Sequence, residues 1–317
     1  MKALFAIAAM LLAGLCAAQS YPSKPIRLIV PFPPGGGMDL VARMLSQKLA
    51  ERLGQQVVVD NRGGANAIIG TDLAAKAAPD GYTIVLALPA SVAVNPSLYR
   101  NLPYDPQRDL AAVSQLTSIA LLLTAHPGFA ANSVRDLVQL AKSKPGQLVF
   151  GSSGSGGSSH LAMELFKSMA HVEMTHVPYK GGGPALNDLV GGQIPLYAGP
   201  MITALPFVKS GRLKALGVTS RKRSSILPEV PAIAETIAGY ESDSWQGVLA
   251  PKRTPPAIIE LLQKEIAAIL RQPEIRERLA GQGAEPLGTT PAEFDAYIKT
   301  ETAKYAKVIR DARISAE

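Results

Sequence analysis

The chain has 317 residues, of which 47% are hydrophobic and 18% charged, and this composition excludes a disordered or low-complexity protein. Its single cysteine excludes a disulfide framework, a cysteine-rich zinc site and a dithiol redox motif. Basic residues exceed acidic ones by 32 − 25 = 7, but they are scattered along the chain. The one basic cluster, residues 221–223, has no interleaved aromatic residues, so nucleic acid is not an expected partner.

The N-terminus has the pattern of a secretory signal peptide. Lys2 precedes an apolar run from residue 3 to residue 15, and small residues follow at positions 16–18. An uncleaved membrane anchor is the alternative, but about 15 apolar residues are short for a bilayer that needs about 20. Lipidation of Cys16 is disfavoured because Leu15 precedes it. We therefore predict a signal peptide over residues 1–18 and a soluble mature protein in a bacterial periplasm.

Short apolar runs alternate with helical patterns along the mature chain, which is typical of βαβ units and a largely parallel sheet. A helix is predicted over 38–53, where apolar residues recur at helical spacing and Gly54 ends the pattern. Two N-cap pairs, Ser133 with Asp136 and Thr290 with Glu293, predict helices over 134–143 and 291–310. The predicted strands are 26–30, 56–59, 83–88, 148–150, 174–177, 193–197 and 213–219.

The last seventy residues are predominantly helical from Thr254 onward, with no strong strand pattern among them. Two α/β lobes followed by a helical tail that packs on one of them account for this order of elements. We place the crossings between lobes near Leu121 and Trp245, where extended apolar stretches occur. The predicted division is lobe 1 over 19–121 plus 246–317, and lobe 2 over 122–245.

The first candidate site is the loop that joins the strand over 26–30 to the helix over 38–53. Glycines there allow close approach of a ligand, and the first amides of a helix are unpaired and carry partial positive charge. A carboxylate or phosphate is therefore the natural ligand. A tight strand–helix turn, with Asp39 interacting with the helix dipole, is an equally good interpretation of this segment alone. The candidate residues are Phe32, Pro34, Gly35, Gly36, Gly37, Met38 and Asp39.

The second candidate site is a glycine- and serine-rich loop between a strand and an apolar helix. It supplies hydroxyls and exposed amides next to a helix N-terminus, without a cationic side chain. A flexible linker is the alternative, but linkers do not normally sit between a strand and an apolar helix. The candidate residues are Ser152, Ser153, Ser155, Gly157, Ser158, Ser159 and His160.

The sequence lacks the residue spacing that other kinds of binding or catalytic site require. No lysine follows Gly156-Gly157 as a phosphate-binding P-loop requires, and no serine of this run has glycines two residues away on both sides. His171, Glu173 and His176 do not have the spacing of a zinc site. His160 has no evident carboxylate partner in the sequence, so no catalytic triad is supported. We predict neither a cofactor nor a metal.

Motifs along almost the whole mature chain are those of a known family. They occupy the segments 21–26, 31–36, 61–63, 79–83, 95–99, 102–106, 144–146, 160–162, 176–181, 191–193 and 227–231, together with Asp39, Ala42, Arg43 and Trp245. In these motifs the sequence resembles the solute-binding proteins of tripartite tricarboxylate transporters, also called Bug-type periplasmic binding proteins.

The resemblance implies a type II-like periplasmic-binding-protein fold, in which each lobe is a mixed, mostly parallel sheet flanked by helices. It also implies that the two loops hold a small mono- or dicarboxylate between the lobes, with Tyr179 added to the binding residues. Many members carry Asp-Asn where this chain has Gly199-Pro200, which disfavours an amino-acid ligand. After the third strand only Ser91 keeps a hydroxyl, so the pocket is expected to favour an aliphatic or aromatic acid.

The expected function is capture of the carboxylate without chemistry, and its delivery by a monomeric protein to the membrane permease of a tripartite transporter. A secreted hydrolase that uses a serine of the second loop is the alternative from another class. Delivery of the ligand to a sensory receptor is the third possibility.

Overall fold

The computed structural model describes residues 21–281 and 283–314, so the predicted signal peptide lies outside the described residues. The chain forms two sheets. The first has six strands, in the order β11 (Ala284–Pro286), β4 (Leu110–Ile119), β10 (Ser244–Pro251), β3 (Thr83–Ala87), β1 (Ile26–Val30) and β2 (Val57–Asn61). The second has five, in the order β7 (Thr175–Pro178), β6 (Val149–Ser152), β8 (Leu196–Pro200), β5 (Leu121–Ala125) and β9 (Lys214–Val218). Among the described residues, no helix is both long and apolar enough to cross a membrane.

The N-terminal part of the first sheet consists of βα units whose strands are parallel. Strand β1 lies between β2 and β3, with Leu28 opposite both Val59 and Ile84. Parallel strands end at the same edge of a sheet, so the loops that follow β1 and β2 are neighbours. The elements are β1 Ile26–Val30, α1 Gly37–Leu53, β2 Val57–Asn61, α2 Ile68–Ala75 and β3 Thr83–Ala87.

The second sheet repeats this arrangement with β6, β7 and β8, which are parallel to one another. A π-helical turn, Ala90–Val94, follows β3. After it come β4 of the first sheet and then all the elements of the second sheet. These elements are α3 Asn95–Leu98, α4 Pro106–Asp109, β4 Leu110–Ile119, β5 Leu121–Ala125, α5 Val134–Ser143, β6 Val149–Ser152, α6 Ser158–Ala170, β7 Thr175–Pro178, α7 Gly182–Val190, β8 Leu196–Pro200, α8 Met201–Lys209, β9 Lys214–Val218 and the 3₁₀ helix Ile233–Glu235.

The chain then returns to the first sheet through a long antiparallel strand. Its final elements are β10 Ser244–Pro251, α9 Pro256–Leu270, α10 Pro273–Ala280, β11 Ala284–Pro286 and α11 Pro291–Asp311. Strand β10 pairs with both β3 and β4, and β5 pairs with both β8 and β9, all antiparallel. The two mixed sheets and the helical tail are as predicted, but antiparallel pairings are more frequent than the sequence indicated. The short strand β11 is an addition to the predicted tail.

The strands change sheet at two places along the chain, between β4 and β5 and between β9 and β10. Ser244 at the start of β10 pairs with Ile119 at the end of β4, so the two crossings lie side by side. These crossings support the division into lobes 19–121 plus 246–317 and 122–245, which we retain as a proposal.

Helix α11 contacts both lobes, whereas the sequence predicted a tail packed on one of them. Phe294 and Ile298 in its first half pack with Trp245 in a cluster against the first sheet. Tyr305 and Val308 in its second half belong to the core of the second sheet. Apolar residues recur along all of α11, and a helix of 21 residues is long enough to reach both cores.

Candidate functional site

The first loop presents backbone amides that no side chain covers. Helix α1 begins after Gly36, and no side chain caps its first amides. A Cβ placed on Gly36 or Gly37 would have no atom within 4 Å beyond the adjoining backbone, so neither glycine is packed against on that side. Residues Pro34 to Gly37 are exposed, whereas Phe32 is half-buried and Met38 is buried in the core of the first sheet. Exposed amides at a helix N-terminus can bind an anion through the backbone alone.

Asp39 holds this loop in place through the hydrogen bonds of its carboxylate. Its side chain is only 4% exposed. Oδ2 accepts hydrogen bonds from the Gly35 amide at 3.0 Å and Arg43 Nε at 2.9 Å, and Oδ1 accepts one from Asn61 Nδ2 at 3.0 Å. The hydrogen bonds from Arg43 and Gly35 lower the pKa of Asp39 to about 2. Asp39 therefore supports the loop, and its predicted role in binding a ligand stays a prediction.

Arg43 and Asn61 were not among the predicted site residues, although both lie in the family-like segments. Asn61 Nδ2 also donates to the Phe32 carbonyl at 3.1 Å, so this one amide joins β2 to the first loop. The half-exposed guanidinium of Arg43 balances the charge of Asp39 beside the loop. The first loop thus has a cation next to it, supplied from the second turn of α1.

The connection between β2 and α2 packs against the first loop and has an unusual backbone. A Cβ on Gly63 would lie 2.9 Å from Pro33 Cδ, so the two segments are in close contact. Ala65, Asn66 and Ala67 all have positive φ, between 46° and 70°, which is rare for residues other than glycine. Asn66 exchanges hydrogen bonds with the buried Asn95 at 2.8 Å, which ties this turn to helix α3.

In the second loop, the side chains nearest the sheet hydrogen-bond to the loop itself. Ser159 Oγ accepts from the Ser153 amide at 2.7 Å and lies 2.8 Å from Ser153 Oγ. His160 Nδ1 accepts from the Gly156 amide at 3.0 Å. Ser152 Oγ accepts from the Gly154 amide at 3.1 Å and is fully buried. These side chains shape the loop, and their direct contact with a ligand stays a prediction.

The groups that remain available in the second loop are Ser155, Ser158 and the first amides of α6. Both serines are exposed, and Gly157 precedes the helix without a side-chain cap. A Cβ on Gly156 would lie 3.1 Å from Leu98 Cδ2, so this loop abuts helix α3. Since α3 is also joined to the turn at Asn66, a continuous set of contacts links the surroundings of the two loops.

Below the second loop, two histidines stack on each other. The rings of His160 and His176 lie 3.8 Å apart at 12° to one another, and His176 Nε2 is 2.6 Å from Ser152 Oγ. Burial, and next the neighbouring His160, lower the pKa of His176 to about 4. His160 Nε2 lies 3.6 Å from Glu164 Oε1, a partner four residues along α6 that the sequence analysis overlooked. No group of three potential metal ligands occurs among residues 21–281 and 283–314.

Two further predicted residues have their hydroxyls engaged in the protein. Ser91 is fully buried, and its Oγ bonds with the amide and the carbonyl of Leu88 at 3.2 and 2.9 Å. Tyr179 donates to Asp188 Oδ2 at 2.7 Å, on the side of helix α7. Each hydroxyl makes a local contact within the protein, and its contact with a ligand stays a prediction.

Two mixed sheets flanked by helices and joined by paired crossings, each with a helix that begins in an uncapped glycine-rich loop, form the fold of the periplasmic binding proteins. Residues 41–314 match the tripartite tricarboxylate transporter family receptor, and the chain belongs to this family. This agrees with the resemblance found in the sequence.

Individual relatives match over nearly their whole length. The chain is 40% identical to Protein BugT of Bordetella pertussis over 306 residues, which cover 94% of this chain and 93% of that protein. It is 37% identical to Rhodopseudomonas palustris Rpa4515, solved with adipate, with a TM-score of 0.78 and coverage of 93% and 99%. It is 29% identical to MatC of Rhodopseudomonas palustris, solved with bound malate, with a TM-score of 0.73 and coverage of 91% and 100%.

Proposed function

We propose that this protein binds a small carboxylic acid between its two lobes and delivers it to the membrane components of a tripartite transporter. The observation that carries the proposal is the pair of uncapped helix N-termini, α1 and α6, in open glycine-rich loops. The two relatives solved with adipate and malate hold dicarboxylates. Binding by amides and hydroxyls in place of a buried cation suits a protein that must also release its ligand.

The expected affinity follows from the available donors. Hydrogen bonds to a charged group contribute about 1.5–3 kcal/mol each. Four or five of them, from Gly36, Gly37, Ser158 and the first amides of α6, offset the cost of ordering the ligand. Micromolar binding, at about −8 kcal/mol, is then the expected outcome.

Calorimetric titration with adipate and malate tests the proposal, with a thermal-shift screen of other mono-, di- and tricarboxylates beside it. Gly36→Ala and Gly37→Ala are the sharpest variants, because their Cβ atoms would meet no protein atom, so a loss of affinity would not come from a clash within the protein. Each is expected to lose affinity while keeping the wild-type unfolding temperature. Gly281→Ala is the matched control, since Gly281 has a φ of −59° and lies at the end of α10.

Failure of every carboxylate to bind the wild-type protein would refute the proposal. Unchanged affinity in Gly36→Ala, Gly37→Ala and Ser158→Ala together would refute the assignment of the two loops.

We propose further that the protein has no catalytic activity. Among the described residues, the pair Ser152 and His176, 2.6 Å apart, favours the serine hydrolase. Ser152 Oγ is however hydrogen-bonded to both the amide and the carbonyl of Gly154, so it serves to hold its own loop. Covalent labelling of Ser152 by a fluorophosphonate probe would contradict this conclusion.

The place of action proposed is the periplasm, after removal of residues 1–18, with the protein acting as a monomer. N-terminal sequencing of the protein from an osmotic-shock fraction should begin at Gln19. A permease role, as opposed to sensing, predicts that disruption of the membrane components abolishes uptake of the acid while binding persists.

A further inference from the structure

A third helix N-terminus lies at the same edge of the second sheet as the second loop. Strands β6, β7 and β8 are parallel, so the segments that follow them meet at one edge. After β7 the chain runs through the exposed Lys180 to Gly181, Gly182 and Gly183, where helix α7 begins. No side chain caps this helix, and Pro184 in its first turn has no amide hydrogen. The amides of Gly182 and Gly183 therefore have no partner within the helix.

The hydroxyl of Tyr197 in β8 points to this helix start and has no hydrogen-bond partner. Tyr197 is only 1% exposed, and its Oη is buried and unpaired among the described residues. A Cβ on Gly182 would lie 2.8 Å from this oxygen, and no other atom beyond the adjoining backbone lies within 4 Å of that position. The Tyr197 hydroxyl therefore lies directly against Gly182, at the start of helix α7.

The surrounding residues make room for this ring. A Cβ on Gly199, two residues along β8, would lie 2.1 Å from Tyr197 Cε1, so any larger residue would displace the tyrosine. Two other buried tyrosines have partners, Tyr104 at the Ser91 carbonyl and Tyr240 at the Ala162 carbonyl. An unpaired buried hydroxyl destabilises a folded protein, and phenylalanine would fill the same space without that cost. The hydroxyl at position 197 is therefore explained best by a partner that is not part of the chain.

We propose that the Tyr197 hydroxyl and the amides of Gly182 and Gly183 form a subsite for the distal carboxylate of an elongated dicarboxylate. This inference rests on the proposed function and extends it, because it gives the second carboxylate its own contacts in the second lobe. Burial raises the pKa of Tyr197 to about 12, so the hydroxyl stays protonated and donates to the anion. Lys180 lies three residues or fewer from both amides and adds positive charge at the entrance.

The test compares dicarboxylates from malonate to adipate with the monocarboxylates of equal chain length, by calorimetric titration of the full mature protein. In Tyr197→Phe, the best dicarboxylate is expected to bind roughly ten-fold or more weakly, since a donor to a charged group is lost. Its monocarboxylate counterpart should bind as it does to the wild-type protein. The unfolding temperature without ligand should be unchanged or higher, because an unpaired buried hydroxyl is removed.

Tyr240→Phe is the matched control. It removes a paired hydroxyl in the core, so it should lower the unfolding temperature and leave the affinity ratio of di- to monocarboxylate unchanged. Gly183→Ala is a second probe of the subsite, because its Cβ meets no atom within 4 Å and would obstruct only an incoming ligand.

The outcomes separate this inference from the proposed function. Dicarboxylate binding that is equally tight in the wild-type protein and in Tyr197→Phe overturns the subsite and leaves the proposed function standing. Absence of binding by every acid to the wild-type protein overturns both. Selective loss of dicarboxylate affinity in Tyr197→Phe, with a normal unfolding temperature, supports the subsite.

Discussion

Replacing Asp39 by asparagine should weaken the hydrogen bonds that hold the first loop in place. Asparagine offers one acceptor oxygen where the Asp39 carboxylate has two, and its amide group would face Asn61 Nδ2, which is itself a donor. One hydrogen bond is therefore lost, and those from Gly35 and Arg43 lose their charged acceptor.

The expected loss of unfolding free energy follows from these hydrogen bonds. An unsatisfied buried donor costs about 1–3 kcal/mol, and a hydrogen bond to a charged group exceeds a neutral one by about 1 kcal/mol. The contribution of Arg43 is discounted, because its side chain is 55% exposed and surface ion pairs contribute about 0–1 kcal/mol. We expect Asp39→Asn to lower the free energy of unfolding by about 2–3 kcal/mol at neutral pH, and to weaken carboxylate binding as well.

Urea denaturation of the ligand-free protein at neutral and acidic pH measures this effect. The pKa of Asp39 is lowered to about 2 in the folded protein, from 3.8. Its contribution is therefore present above about pH 4 and lost as the pH falls toward 2. The wild-type protein should lose this increment over that range, and the variant should not.

Asp295→Asn is the matched control, because Asp295 also pairs with a cation four residues along a helix but is 42% exposed. It should change the free energy of unfolding by only about 0.3–0.5 kcal/mol. If Asp39→Asn destabilised the protein no more than Asp295→Asn, the assignment of Asp39 as the internal support of the loop would be refuted.

Three further predictions concern other buried polar groups. Burial raises the pKa of Asp243 to about 6 although Ser118 donates to it, so its contribution to stability is lost as the pH rises from about 4 to 6. Asp243→Asn should abolish that loss in urea titrations, and an unchanged pH profile would contradict the assignment. The contribution of His176 to stability has the opposite pH dependence. Its pKa is lowered to about 4, so this contribution is lost as the pH falls from about 6.5. His176→Gln should flatten the acid limb of the same profile, whereas an identical acid limb would argue against a neutral His176. Ser159→Ala should lower both the unfolding temperature and the ligand affinity, because Ser159 supports the loop through Ser153, whereas Ser158→Ala should lower affinity alone. Equal unfolding temperatures for the two variants would show that Ser159 does not support the loop.

Much of the fold was predictable because local patterns specify it. Strand β1 and helix α5 match their predicted bounds, and the predicted helix over 291–310 differs from α11 by one residue. Buried parallel strands are short apolar runs, and N-cap pairs such as Ser133 with Asp136 mark where helices begin. The two glycine-rich loops were found for the same reason, since glycine clusters between a strand and an amphipathic helix are visible in the sequence.

The antiparallel strands β4, β5 and β10 were harder to predict than β9, which lies within the predicted strand over 213–219. The stretch from residue 110 to 125 is divided between two sheets at Ala120, and Ser244 pairs with Ile119 across more than a hundred residues of chain. No local pattern encodes such a pairing, because it depends on how the lobes assemble.

The sequence by itself determined the α/β class, the family resemblance and the two loops in which helices begin without caps. Only the tertiary structure decided which side chains in those loops are free. Asp39, Ser152, Ser159 and His160 carry the polar groups that a ligand site requires, yet each is buried and satisfied by neighbours. In the sequence, Tyr197 is an ordinary residue of a predicted strand. Its unpaired hydroxyl is evident only in the structure, where Gly182 and Gly199 lie beside the side chain. The physical reason is that residue type fixes which hydrogen bonds a group can make, whereas the fold fixes which of them are already made.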